Sequence, residues 1–239
     1  MAALAGQRTF LEIQGDIAAI IGDGFSFSTT SYPTLTQAKQ IINRHYKRFF
    51  AKRPWKWTQK STTFTTSAGT VQYTMADDVM QEITLRIANI GVPLTKMSRE
   101  RFLQEVPGGW TNTGSGTPIL YMASSEASNN ALRFDLWPTP DATYTVSLDY
   151  RARFTPLSGD SDYSIIPPEF EDVLVYGPAA EILLMLGDDR AGSFEQASQR
   201  VAQSAWLMDE QEMDSLNGTR KPGVMSQGYP GLMHPYWNY

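Results

Sequence analysis

The chain has 239 residues, of which 41% are hydrophobic, and is long enough to fold around a buried hydrophobic core without covalent cross-links. It contains no cysteine, which excludes disulfide frameworks, thiolate zinc sites and cysteine nucleophiles, and which suits a reducing cytoplasm. The net charge of −5 is unevenly distributed: residues 44–60 hold seven Lys or Arg and no acid, whereas residues 160–214 hold 13 acids and two Arg. We therefore expect the two parts of the fold to carry opposite electrostatic fields.

The N-terminus lacks a basic region followed by a long apolar run, so we expect no secretory signal. The longest apolar stretch, residues 173–186, is too short to span a bilayer and contains Glu181. The sequence therefore predicts a soluble protein that does not contact a membrane.

Two helices are predicted before Pro54. Residues 9–21 place apolar side chains at helical spacing, and a Gly-Asp-Gly sequence ends that run. The second helix begins with a capping box formed by Thr34 and Gln37. Its basic side chains fall on the face opposite its apolar stripe; they are Arg44, Lys47, Arg48 and Lys52.

After the second helix, Trp55 and Trp57 stand on either side of one lysine. In an extended chain both indoles would lie on the same side, and they would anchor the junction between the helices and a sheet. From residue 60 to 151 the hydrophobic period changes to two, which predicts β-strands. Segments 61–66 and 70–75, separated by an Ala-Gly turn, are predicted to form a β-hairpin.

The rest of this region predicts an antiparallel sheet or a small sandwich. Ser98 caps a short helix that carries Phe102 and Leu103, and Trp110 lies in the Gly/Thr/Ser-rich loop 107–118. Further strands are indicated by apolar residues that alternate along the chain: Ile83, Leu85 and Ile87; Val92 and Leu94 on the return; residues 119–123; Leu132, Phe134 and Leu136; and Tyr144, Val146, Leu148 and Tyr150.

Two more helices follow the strands. The pair Pro167-Pro168 opens a third helix whose apolar residues nearly encircle it, so we expect it to be the most buried one. Within it, Gly177-Pro178 should kink or split the helix. The fourth helix, from about residue 190 to 216, would be roughly 40 Å long at 1.5 Å per residue, and its core stripe is predicted to be Phe194, Ala197, Val201, Ala205 and Met208.

The fold class predicted from this order is α+β. Residues 1–54 and 164–217 are expected to form one four-helix bundle, into which an antiparallel β domain, residues 55–163, is inserted. Residues 218–239 have no periodicity and combine three prolines with large apolar side chains, which predicts an extended C-terminal arm. We call this segment the arm.

The sequence gives no support for catalysis. His45 and His234 are the only histidines, neither has metal-ligand spacing around it, and His45 is predicted to be a packing or surface residue. HExxH, GxSxG, Walker A and GxGxxG motifs are all lacking. We therefore expect no enzyme, no cofactor and no metal. Acidic pairs do occur, but at predicted turns and helix boundaries, where Asp bonds to nearby backbone; they are Asp77-Asp78, Asp160 with Asp162, and Asp188-Asp189.

The basic stretch 44–60 is open to three interpretations. Cations interleaved with aromatic residues are typical of nucleic-acid binding through phosphates and stacking. Separation of the two kinds onto opposite helical sides instead indicates a solvated basic face above a buried aromatic one. The third interpretation is an electrostatic contact between subunits, for which the candidates are Arg44, Lys47, Arg48, Lys52, Asp209 and Glu212.

The arm is unlike a solvated tail, because its large apolar side chains lower solubility unless something covers them. One hypothesis is that it packs on its own core, and another is that it inserts into a groove of a neighbouring subunit or partner. The candidate contact residues are Tyr229, Leu232, Met233, Tyr236, Trp237 and Tyr239.

The order of these features resembles the head-to-tail adaptor family of podovirus necks, the tail tubular protein A-like proteins. The resemblance covers about residues 35–213. No single segment is specific to the family, and the resemblance rests on the order in which the segments occur. They are WKW at 55–57, YTMADD at 73–78, GTPILY at 116–121, LWPTPD at 136–141, YTVSLDY at 144–150 and IPPEF at 166–170.

The resemblance implies a homo-oligomeric ring of about twelve copies that joins the portal protein to the tail nozzle protein around the DNA channel. Such a protein is assembled in the host cytoplasm and retained in the virion neck. In that family the helical part and the arm engage the portal and neighbouring subunits, so the arm residues become candidate portal contacts. The β part faces the nozzle, which makes Trp110 a candidate nozzle-side contact. Acidic helices suit a channel that must not hold DNA tightly, because like charge repels phosphates.

Two rival functions remain open at this point. A phage decoration or receptor-binding module would use the β domain and the Trp110 loop, and would stay a small independent oligomer. A hydrolase would require two or three ionisable side chains converging in one deep pocket.

Overall fold

The computed structural model describes residues 5–88, 90–91, 93–105, 114–125 and 131–217, with residues 211–217 described by their backbone alone. In these ranges the chain is a mixed α+β protein. Its five α-helices are α1 (Phe10–Ile21), α2 (Leu35–Ala51), α3 (Arg99–Glu105), α4 (Val173–Met185) and α5 (Ala191–Asn217). Its nine strands are β1 (Gln59–Thr65), β2 (Gln72–Thr74), β3 (Val79–Ile87), β4 (Thr95–Lys96), β5 (Ser115–Gly116), β6 (Leu120–Ser125), β7 (Leu132–Trp137), β8 (Thr139–Pro140) and β9 (Thr145–Ala152).

The first two helices begin where local side chains satisfy their free backbone N–H groups. The predicted capping box of Thr34 and Gln37 is present at the start of α2. A second capping box, formed by Thr9 and Glu12, begins α1. Each box gives two otherwise unpaired N–H groups a partner, and the loss of such a cap typically costs about 1 kcal/mol.

Helix α4 lies at the centre of the helical region. Most of its side chains are buried, among them Leu174, Ile182 and Leu183, which confirms the expectation drawn from its apolar sequence. The helix runs without a break across Pro178, so it is not split. The four-helix bundle is not confirmed as such: the most extensive contacts join α4 to each of α1, α2 and α5, which makes α4 a hub.

The two tryptophans after α2 close one side of the helical core. The rings of Trp55 and Trp57 stack with their centroids 4.4 Å apart, and Trp57 also stacks on Phe170. Both indoles therefore lie on one side of the chain, as predicted. They reach that position through a 3-10 turn, Lys56–Thr58, and not through an extended segment.

The β region is a sandwich of one antiparallel sheet and one mixed sheet, which contains a parallel pair of strands. One sheet is antiparallel in the order β1-β9-β3, and the second has the order β2-β7-β6-β4 with β4 parallel to β6. Side chains from both sheets, including Leu85, Phe134, Val146 and Leu148, form one core between them. Phe102 of α3 covers the other face of the second sheet. Strands β5 and β8 form a separate parallel pair.

The predicted hairpin of segments 61–66 and 70–75 is wrong. Strand β1 pairs with β9 and strand β2 pairs with β7, so the two segments belong to different sheets. The physical reason is the burial of β9, whose alternate side chains are all in the core. A strand with such a face is best placed centrally, and β1 and β3 supply its two neighbours.

Strand β3 departs from simple alternation. Leu85 and Ile87 are buried as predicted, but Ile83 is 44% exposed. The register against β9 shifts between Glu82 and Thr84, and such a β-bulge moves the side chains before it to the opposite face. The predicted return strand is reduced to one bridge, Arg86 with Pro93, while Val92 lies outside the described residues.

Candidate partner-binding surface

The outer side of α5 presents three consecutive large apolar side chains. Trp206, Leu207 and Met208 are 54%, 60% and 54% exposed. The buried positions of this part of α5 are Ala205 and Asp209. The placement of Met208 in the core stripe was therefore wrong, and a carboxylate takes the inward position that follows Ala205.

Asp209 is buried because the chain itself satisfies it. Its carboxylate lies 3.2 Å from the guanidinium of Arg53 and accepts a hydrogen bond of 3.0 Å from the backbone N–H of Lys56. These contacts tie α5 to the end of α2. Asp209 was a candidate for a contact between subunits, and the structure shows its charge engaged within one chain. The side chain of Glu212 lies outside the described part.

A groove runs between the end of α2 and the middle of α5. The guanidinium of Arg53 lies 5.5 Å from the ring centroid of Trp55 and 5.7 Å from that of Trp206, which is cation–π distance. The indole N–H of Trp206 donates to Glu210 at 3.1 Å, and this bond fixes the ring. The groove has a volume of about 480 Å³, and its lining residues include Lys52, Arg53, Trp55, Glu195, Gln199, Ala202, Gln203 and Trp206.

A second run of exposed apolar residues lies where α4 ends. Leu184, Met185 and Leu186 follow one another, and Leu184 is 72% exposed. The helix ends at Met185, and Gly187, two residues later, has a φ of 72°, which is in the left-handed region that favours glycine. In the turn that follows, Arg190 donates to the backbone carbonyls that end α1, at 3.2 and 3.0 Å. A cation at this position also complements the negative end of the α1 dipole.

The basic residues of α2 divide into two groups. Arg44 forms an ion pair with Glu181 of α4, and Arg48 lies 3.9 Å from the same carboxylate. Lys47 and Lys52 are exposed. The attraction between the basic stretch and the acidic C-terminal region is thus used in part within one chain. A contact between subunits through Arg44, Lys47, Arg48 and Lys52 stays a prediction.

His45 is a packing residue on the same helix. Its Nε2 lies 2.9 Å from Glu181, and burial lowers its pKa below the ordinary value although Glu181 acts in the opposite direction. The ring fills the space beside Gly177 of α4, where an added Cβ would lie only 2.7 Å from Nδ1. The glycine therefore permits the close approach of α2, α4 and α5.

The acidic pairs serve local structure where the geometry is described. Asp162 accepts hydrogen bonds from the backbone N–H groups of Ser158 and Gly159 at 2.7 and 2.8 Å, and these bonds lower its pKa. Asp188 accepts from the backbone N–H of Arg190 at 2.9 Å. Asp78 accepts from the hydroxyl of Tyr150 at 2.9 Å. Among the described residues, no three acidic or histidine side chains converge in a way that suits a metal ion.

The other predicted contact residues lie outside the described residues. They are Trp110 in the β region and Tyr229, Leu232, Met233, Tyr236, Trp237 and Tyr239 in the arm. The surface formed by Trp206, Leu207 and Met208 was not predicted from the sequence. A signal for it existed, because three consecutive apolar residues on a helix point in three directions and cannot all enter one core.

In the described ranges, none of the helices is long and apolar enough to cross a bilayer. What they display are runs of apolar side chains on α4 and α5, of the kind that marks contact with other proteins. The exposed side chains of α4 and α5 thus indicate a protein of the class that binds other proteins.

A family model described as the SU10 adaptor protein matches residues 8–226, which is most of the chain. The chain therefore belongs to this family of bacteriophage adaptor proteins, which are structural components of the virion and interact with other phage structural proteins. No curated protein matches the chain at a significant level.

Proposed function

We propose that the protein is the head-to-tail adaptor subunit of a short-tailed phage. About twelve copies form a ring between the portal and the tail nozzle, around the channel through which DNA leaves. The observation that carries the proposal is the adaptor family match over residues 8–226. The ordered segments from 55–57 to 166–170 support the more specific tail tubular protein A-like assignment. Assembly takes place in the host cytoplasm.

The exposed apolar runs on α4 and α5 support an assembled state. A monomer that stays alone rarely leaves large contiguous apolar patches uncovered. In a closed ring each subunit buries one surface against each of two neighbours and further surface against the partners above and below. Residues 184–186 and 206–208 supply such surfaces on two different helices.

The two cores support a division of labour between regions. One hydrophobic cluster lies among α1, α2, α4 and α5, and another lies between the two sheets. We assign residues 1–54 and 164–217 to a helical domain on the portal side, and residues 55–163 to a β domain on the nozzle side. The arm, 218–239, then contacts the portal, and Trp110 contacts the nozzle.

Charged residues on α2 and α5 favour a head-to-tail orientation of neighbouring subunits in the ring. Lys47 is exposed on α2, while Glu210 is exposed on α5. A head-to-tail interface would bring the α2 face of one copy to the α5 face of the next, which pairs opposite charges. The remaining acidic residues of the helical region would face the channel and repel DNA phosphates.

The test is to mix the purified chain with purified portal rings and to inspect the mixture by electron microscopy. We expect a ring stacked coaxially on the portal, and a chain ending at residue 217 to bind more weakly. Failure of the full chain to bind the portal would contradict the adaptor assignment. Unchanged binding by the shortened chain would remove only the role of the arm. A decoration or receptor-binding module would instead remain a small oligomer that ignores the portal.

A further inference from the structure

The middle of α5 combines an aromatic groove with an apolar outer face. Arg53 lies against the rings of Trp55 and Trp206 on one side of the groove, and Trp206 keeps 54% of its surface exposed. Leu207 continues the apolar surface around the helix. Grooves lined by indole rings are the sites at which proteins bind proline-containing extended segments, because proline rings stack on flat aromatic faces.

The arm has the composition that such a groove accepts. Two of its three prolines adjoin aromatic residues, in Tyr229-Pro230 and Pro235-Tyr236. It also carries Arg220 and Lys221 and no acidic residue. On the α5 side the groove is bordered by Glu195, and Glu210 is exposed one turn beyond Trp206, whereas Lys52 and Arg53 line the α2 side. The apolar character of the arm therefore matches the aromatic groove, and its two cations match the carboxylates on the α5 side.

The chain length allows the arm to reach the groove of its own subunit. The α5 residues that line the groove lie 11 to 22 positions before Asn217, which corresponds to about 16–33 Å along a helix. Residues 218–228 span up to about 36 Å when extended. Tyr229-Pro230 can thus reach any point of the groove. A tether of this length gives the arm a millimolar effective concentration at the groove, which a second copy in dilute solution does not match.

We propose that, in the unassembled subunit, residues 218–239 fold back onto α5 of the same chain. The Tyr229-Pro230 segment occupies the groove that Arg53 and Trp206 line, and the neighbouring arm residues cover Leu207. The arm and the apolar face of α5 thereby shield each other until assembly. The docking concerns the isolated subunit, so it does not depend on the adaptor proposal.

The natural lack of cysteine provides a clean test. A single thiol is introduced in the groove with Gln203→Cys, and its alkylation by iodoacetamide is timed in the full chain and in a chain ending at residue 217. We expect alkylation to be at least about tenfold slower in the full chain, because a docked arm must open first. The control thiol, Thr63→Cys on the exposed surface of β1, should react at the same rate in both chains.

Equal alkylation rates of the groove thiol in the full and shortened chains would overturn the proposal. Protection that weakens when the protein is diluted a hundredfold would also overturn it, because the arm would then come from a second copy. A full-length chain that carries Gln203→Cys together with Tyr229→Ser and Pro230→Gly should react as fast as the shortened chain, and it needs no truncation. The alkylation experiment contains no portal protein. Its result therefore does not depend on ring formation, and either the docking of the arm or the adaptor function can be contradicted without the other.

Discussion

The helical region and the β region expose their apolar residues differently. In the described β region the large exposed apolar residues are scattered along the chain; they are Met80, Ile83, Ile90, Leu103 and Ile119. In the helical region most of them come in two consecutive runs, 184–186 and 206–208. Single exposed apolar residues are normal on any protein, whereas several close together on one element are typical of contact surfaces. The comparison indicates that the helical region makes the larger apolar contacts in the assembly.

The two regions are also held together differently. The strands are joined by backbone ladders, whereas the helices share a hydrophobic core and are joined in addition by carboxylates that bridge distant segments. Asp209 joins α5 to the end of α2, and Glu181 joins α4 to the middle of α2. Glu171, which is fully buried, accepts hydrogen bonds from the backbone N–H of Arg8 and the hydroxyl of Ser164. The following predictions test this contrast.

The largest effects are expected from cavities in the two cores. Leu174→Ala in the helical core and Leu148→Ala in the β core should each lower the free energy of unfolding by about 3–5 kcal/mol, because both side chains are fully buried. Urea unfolding followed by circular dichroism and tryptophan fluorescence measures this loss. If the regions are separate domains, each variant shifts only one of two transitions. One shared transition that shifts in both variants would contradict the domain division.

The next largest effect is expected from the buried carboxylate of α5. Asp209→Ala should lower the free energy of unfolding by about 3 kcal/mol, because it leaves Arg53 and the Lys56 N–H without their partner. Asp160→Ala is the matched control, since Asp160 pairs with Lys39 at an exposed position and should cost less than about 1 kcal/mol. Equal losses in the two variants would mean that burial of Asp209 has no energetic consequence.

Smaller effects on the free energy of unfolding are expected when two helical glycines are replaced. The two replacements should act with opposite signs. Gly177→Ala should destabilise the fold by about 1–3 kcal/mol, because the new Cβ meets the ring of His45 at 2.7 Å. Gly15→Ala in α1 meets nothing within 4 Å and should stabilise the fold by about 0.5–1 kcal/mol through helix propensity. Thermal and urea unfolding of both variants test the pair. Stabilisation by Gly177→Ala would contradict the close packing of α2, α4 and α5.

The pH dependence of stability should contain a contribution from His45. Burial lowers its pKa in the folded state, so folding favours the neutral ring. The stability that this provides is complete well above the unfolded pKa of about 6.5 and is lost as the pH falls from that value through the lower folded-state pKa. Unfolding free energies measured between pH 7.5 and 5.5 should therefore decrease more in the natural chain than in His45→Gln. Parallel pH profiles would show that His45 does not titrate differently on folding.

The smallest effect on stability is expected on the outer side of α5. Leu207→Gln should change the unfolding free energy by no more than about 0.5 kcal/mol, because the side chain is already exposed. It should nevertheless weaken self-association or portal binding, which sedimentation and electron microscopy measure. Met80→Gln, at a single exposed residue of β3, should change neither property. Equal behaviour of the two variants in assembly would remove the distinction between scattered and contiguous exposed residues.

Local patterns predicted the helices well. Helix α5 spans 191–217, close to the predicted 190–216, and the capping box of Thr34 and Gln37 begins α2. The alternating residues of β9, Val146, Leu148 and Tyr150, are all buried. These features succeed because helix caps, helical periodicity and strand alternation depend on residues that are close neighbours in the sequence.

Strand pairing and the inward face of α5 were not predicted. Segments 61–66 and 70–75 are adjacent in sequence, yet each pairs with a more distant strand, because burial of β9 outweighs the short turn. Met208 fits the helical period, yet Asp209 is buried, since Arg53 and the Lys56 backbone satisfy its carboxylate. Partners of this kind come from some 150 positions away, a distance that local periodicity does not encode.

The sequence by itself determined that this protein is α+β and offers no catalytic motif, and the order of its segments indicated a phage adaptor. The first two conclusions follow from composition and short-range patterns, and the third follows from the resemblance to a known family. The tertiary structure alone decided that α4 is the hub of the helices and that the strands divide into two packed sheets and a separate two-stranded pair. It also decided that Trp206, Leu207 and Met208 face outward. Such choices depend on which distant surfaces fit together, because a side chain is buried only when the whole fold supplies its neighbours.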